Sequence, residues 1–149
     1  MKYEELNAEQ KARAVEKIRE TWGFSWESES RDSLLTFMAH FGIDTYWSLD
    51  TYHWYFNKVE DNSYFRGMKL TDFDPEYMPT GYCLDCDLWG TFYEEFKSTG
   101  DARAAFNAAL ETGLKAWAED RQYQLTDEYL IEHIIVNELD FCPCEGIHI

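Results

Sequence analysis

The sequence predicts an α+β fold, helices packed on a small antiparallel sheet, as one domain over residues 1–149. Three observations predict it. Apolar residues recur at three- and four-residue steps in several separate stretches, the signature of amphipathic helices. Between residues 43 and 67 that period gives way to a run of β-forming side chains. No Pro-, Gly- or Ser-rich linker, repeat or low-complexity segment divides the chain. A chain of this length buries enough surface to hold a core without metal or disulfide staples. Its load of 6 Trp, 10 Tyr and 10 Phe excludes intrinsic disorder despite the charge.

The elements follow in order. Asn7 with Gln10 forms a capping box, and Leu6, Ala8, Ala12, Val15, Ile18 and Trp22 mark a helix over about 8–21, ended by Gly23. Its outer face alternates Glu with Lys or Arg, the pattern of a solvated surface. Leu34, Leu35, Phe37, Met38 and Phe41 make the stripe of a second helix over about 29–41, which Gly42 closes. His40 sits at its last turn, where the helix dipole favours a cation. Residues 43–67 carry Thr45, Tyr46, Trp47, Tyr52, His53, Trp54, Tyr55, Phe56 and Val59. Glu60-Asp61-Asn62 signals a turn, and Ser63–Gly67 reads as a returning strand, giving two or three antiparallel strands. Residues 71–81 read as an acidic loop.

Leu88, Trp89, Phe92, Tyr93 and Phe96 give a helix from Leu84 to Ser98. Asp101 caps the next, whose stripe runs from Ala102 through Phe106, Leu110 and Leu114 to Trp117 and Ala118. Small residues at every fourth position of it (Ala105, Ala109, Gly113) admit a close neighbour. Thr126 caps a last helix over about 127–138, with Asp127 and Glu128 at its positive end, and the tail from Phe141 to Ile149 adds an edge strand.

Charge narrows the function. There are 29 acidic and 13 basic side chains, a formal net charge of -16, with three-quarters of the excess beyond residue 50. Phosphate neutralisation needs clustered Lys and Arg, so direct nucleic-acid binding is excluded, and an anionic membrane surface is disfavoured for the same reason. No apolar run reaches the length of a membrane span, and the Met1-Lys2-Tyr3-Glu4-Glu5 start has no apolar segment of a leader peptide. A cytoplasmic location with reduced thiols is the expectation.

Three blocks together resemble a family of small acidic proteins encoded by bacteriophages and prophages: Tyr3-Glu4-Glu5-Leu6-Asn7-Ala8-Glu9-Gln10-Lys11-Ala12; Thr80-Gly81-Tyr82-Cys83-Leu84-Asp85-Cys86-Asp87; and Leu125-Thr126-Asp127-Glu128 with Ile131-Glu132, Asn137 to Phe141 and Gly146. The resemblance spans nearly the whole chain and implies a mobile-element genome and a bacterial cytoplasm. It carries over no site residue, and the four cysteines fall outside it.

The chemistry-bearing residues form two groups. Cys83-Leu84-Asp85-Cys86 and Cys142-Pro143-Cys144 offer a CxxC and a CxC pair for tetrahedral zinc, with His53, His133 and His148 as further ligands. The partial match leaves two idle loops of thiols as the other reading, and no cofactor is expected. Asp85 and Asp87 raise rather than lower a neighbouring thiol's pKa, against a redox CxxC. The second group is Asp72, Asp74, Glu76, Asp85, Asp87, Glu94 and Glu95. Their spacing lacks the EF-hand pattern, and with no G-x-S-x-G, P-loop or His-Glu-x-x-His motif no enzyme is expected. Spaced carboxylates on a rigid surface imitate a phosphate backbone. The function expected is therefore a phage inhibitor of bacterial defence, of the anti-CRISPR kind, whose partner is a nucleic-acid-handling protein or ribonucleoprotein. The alternative is a zinc-bearing regulatory or assembly module built on the cysteine pairs. The aromatic run Tyr46–Phe56 reads as sheet core with a partner-binding patch, since only Lys58 stands near it.

Overall fold

Five α-helices carry most of the described chain: α1 (Ala8–Glu20), α2 (Glu27–His40), α3 (Leu84–Thr99), α4 (Ala102–Gln124) and α5 (Asp127–Val136). The fold is α+β as expected, with sheet confined to two short ribbons. Strands β1 (Trp47–Leu49) and β2 (Trp54–Phe56) pair antiparallel, and so do β3 (Phe141–Cys142) and β4 (Ile147–His148). The structure, a computed structural model, describes residues 1–142 and 147–148, with backbone alone for Cys142, Ile147 and His148.

Local chemistry accounts for the boundaries. Asn7 Oδ1 accepts the Gln10 N–H at 2.8 Å while Gln10 Oε1 accepts the Asn7 N–H at 2.9 Å, so two of the free amides at the start of α1 are satisfied reciprocally. At the end of α2, Gly42 takes φ +66°; its N–H donates to Ala39 O and that of Ile43 to Met38 O, closing the last carbonyls. On α2, Leu34, Phe37, Met38 and Phe41 are buried but Leu35 faces solvent, one step off the stripe. The expected returning strand at Ser63–Gly67 is instead a 3-10 turn over Asn62–Phe65. Asp61 Oδ1 accepts the Ser63 N–H at 2.8 Å, so the backbone closes on itself before it can pair with a strand, and Phe65 anchors the turn in the core.

The chain packs as two compact units, residues 26–120 and residues 1–25 with 121–149. Neither boundary carries linker composition, one lying between Ser25 and Trp26 and the other within the α4 range, which is why the sequence reads as undivided. In the 26–120 unit the core centres on Phe37, whose ring stacks on Phe106 at 5.3 Å and meets Trp89 edge-on at 4.8 Å. Burying each such side chain contributes about 1.5–3 kcal/mol, and favourable ring geometry adds roughly 0.5–1.5 kcal/mol. Gly113 lets α3 approach α4: a Cβ there would lie 2.5 Å from Leu88 Cδ2. The loop after the 3-10 turn at Leu70–Asp72 is pinned by Phe73 and Tyr77, whose rings lie 6.4 and 4.9 Å from Trp89. In the other unit Leu6, Ala14, Val15, Leu130, Ile134 and Phe141 form a separate core. Gln124, almost fully buried there, accepts from Trp22 Nε1 and the Ser25 N–H and donates to Ser25 O, so its desolvation is compensated.

Candidate functional site

The Thr80-Gly81 corner leads into α3 and is organised by one carboxylate. Asp85 Oδ2 accepts the Thr80 N–H at 2.9 Å, the Thr80 hydroxyl at 2.8 Å and the Gly81 N–H at 3.1 Å. Gly81 takes φ +78°, which a side-chain-bearing residue adopts only with strain. The Thr80 hydroxyl lies 2.9 Å from Ser33 Oγ, which ties the corner to α2. Asp85 is fully buried and its Oδ1 has no hydrogen-bond partner among the described residues. This corrects the expectation that Asp85 belongs to a partner-binding surface: it is a structural clamp, and a change there would test folding.

Above the corner the 26–120 unit holds a cleft of about 520 Å³, formed by the start of α2, the corner, α3 and the later turns of α4. Apolar and aromatic lining comes from Trp26, Tyr82, Leu84 and Trp117. Glu29, Asp87 and Asp120 supply carboxylates, and no Lys, Arg or His lines it among the described residues. Asp87 is half-buried; burial first, and the Glu119 carboxylate second, push its carboxyl above the ordinary value. Glu27 Oε2 accepts from Trp117 Nε1 at 2.5 Å, which fixes that indole. Trp26 stands with 65% of its surface exposed and with φ +67°, a conformation that costs a bulky residue of order 1–3 kcal/mol.

The remaining acids stand as follows. Asp72, Asp74, Glu76, Glu94 and Glu95 are exposed. Asp72 Oδ2 accepts the Lys69 N–H and Asp74 Oδ1 the Glu76 N–H, both at 2.9 Å, so these two also shape the loop. Among the described residues no three His, Cys, Asp or Glu side chains gather to hold a metal ion. Cys83 and Cys86 are exposed free thiols on the entry to α3, with Cys86 Sγ 3.7 Å from Met78 Sδ. The side chains of Cys142 and His148, and all of Cys144 and Gly146, lie outside the described residues. His133 packs edge-on against Trp22 at 4.7 Å, and His40 against Trp89 at 4.9 Å. On the hairpin, Tyr46, Tyr52 and Tyr55 are exposed, whereas Trp47 and Trp54 pack on the core.

No motif or periodicity in the sequence marks the cleft or Trp26. The signal is that absence: Trp26 is followed at the third and fourth positions by Glu29 and Ser30, so no apolar stripe claims it. Compared with known protein families, characterised proteins and solved structures, the chain matches none of them.

Proposed function

We propose that this protein is an inhibitor that binds a nucleic-acid-handling protein of bacterial defence, of the anti-CRISPR kind, with carboxylates standing where phosphates would lie. One observation supports the reading. Asp72, Asp74, Glu76, Glu94 and Glu95 are exposed, and none of them is in an ion pair among the described residues. A basic channel meeting them gains Coulomb attraction without first breaking an internal pair. The same unit, residues 26–120, holds eighteen acidic and seven basic side chains, so its field is negative at a distance and steers a basic partner.

The test is affinity capture of the tagged chain from a lysate of defence-carrying bacteria, eluted across a salt series and challenged with duplex DNA. The expected result is a single nucleic-acid-binding complex, released by moderate salt and displaced by DNA. Reversing Asp72, Asp74, Glu76, Glu94 and Glu95 to Lys lowers the affinity by at least about tenfold and flattens its salt dependence. A reversal variant that melts like the parent and binds with unchanged affinity and slope overturns the reading.

A further inference from the structure

We propose that the cleft between the start of α2, the Thr80-Gly81 corner and α4 is a binding site for a small amphipathic organic cation, an ammonium carried on an aromatic or alkyl body. Shape and charge together select the occupant. A cleft of about 520 Å³ falls in the range of small-molecule sites, ~300–1,000 Å³. It is larger than one inserted side chain would fill.

The lining divides by chemistry. Trp26, Tyr82 and Trp117 offer aromatic surface, which attracts a cation through the ring quadrupole and an apolar body through burial. Glu29 and Asp87 add fixed negative charge, and no cationic side chain among the described residues lines the site to cancel it. An anionic ligand is repelled, and a neutral one gains only the apolar term. The raised pKa of Asp87 is what a carboxylate held in a half-buried cavity beside Glu119 displays when no counter-charge is present. An ammonium bound there supplies that counter-charge. Trp26, held at the mouth in a left-handed conformation by the surrounding fold, is placed to cover the ligand's apolar body. The titratable groups that line the cleft with Asp87 are Glu29 on α2, Tyr82 and Cys83 at the corner, and Asp120 on α4, and Glu119 on α4 acts on Asp87 through its charge. All of them are neutral or negative at every pH, so binding strengthens as pH rises through the Asp87 titration.

The probes are 2-phenylethylammonium and 3-phenylpropionate, which share a body and differ in the sign of the charge. Each is titrated into the 15N-labelled full chain, with amide and indole shifts followed and affinity taken from calorimetry. The expected result is saturable binding of the ammonium, with shifts concentrated at Trp26, Tyr82, Cys83 and Asp87, and at least about tenfold weaker binding of the carboxylate probe. Asp87→Asn and Trp26→Ala each weaken the ammonium by about fivefold or more. Trp26 is exposed and Asp87 partly so, and a melting curve confirms that each variant folds. Equal affinity for the two probes overturns the proposal. So do ammonium shifts spread over Asp72, Asp74, Glu94 and Glu95 instead of the cleft, or parent-like binding in both folded variants. None of these outcomes bears on the protein-binding reading, whose reversal variant leaves the cleft intact.

Discussion

Asp85 and Asp87 are two residues apart and carry the same carboxyl, yet their roles separate completely. Asp85 points into the fold and receives three hydrogen bonds from the Thr80-Gly81 corner. Asp87 points into the cleft, where burial and Glu119 both disfavour its charge. The sign of the consequence follows from proton linkage. A carboxyl whose folded pKa is raised binds its proton more tightly in the native state. The stability it confers is complete below the ordinary value of 3.8 and is lost as pH climbs through the raised one. Asp87→Asn removes that loss. The variant is expected to melt about 1–2 °C higher than the parent near pH 7, with the gain vanishing below pH ~3.8, as scanning calorimetry across pH reads. A native residue that lowers stability at neutral pH is the pattern of a group kept for binding. From the sequence the two aspartates were indistinguishable: both belong to one acidic cluster, and only the direction of the helix start decides which is buried.

Among the elements, α3 and α4 meet closely at Gly113. The sequence places Ala105, Ala109 and Gly113 on one stripe that admits a close neighbour, and at Gly113 that neighbour is Leu88. Alanine at Gly113 gains up to about 1 kcal/mol of helix propensity. Its Cβ, at 2.5 Å from Leu88 Cδ2, drives a fully buried side chain from its place, an overpacking cost of about 1–3 kcal/mol. Overpacking wins, so Gly113→Ala is expected to destabilise by about 1 kcal/mol. Pairing it with Leu88→Ala should give less than the sum of the two losses in denaturant melts. Helices were legible because their stripes and caps act locally: Asn7, Gly42, Asp101 and Thr126 each stand where the sequence set a boundary. The returning strand was not legible. Ser63–Gly67 has β-forming residues, but the Asp61 side chain offers a nearer partner than any distant strand.

On the scale of the molecule, charge was legible in composition, since it is a sum over the chain, and fold class in the periodicity of the apolar residues. The division into two units was not, because chain crossings without linker composition leave no local mark. Nor was the cleft, whose walls come from residues as far apart as Glu29 and Asp120. The exposed indole of Trp26 turns the negative field into something that can be read optically. Of the six tryptophans, Trp89 and Trp117 are almost wholly shielded, Trp22, Trp47 and Trp54 are partly covered, and Trp26 alone is open to water, beside Glu29 and Asp87. The red edge of the emission therefore belongs largely to Trp26. Caesium, gathered by the carboxylates, should quench that edge at least about twice as efficiently as iodide, which they repel. The ratio should fall toward one as added salt shortens the screening length from ~30 Å at 0.01 M to ~8 Å at 0.15 M. One side chain, in an ordinary fluorimeter, thus serves as a voltmeter for the surface around it.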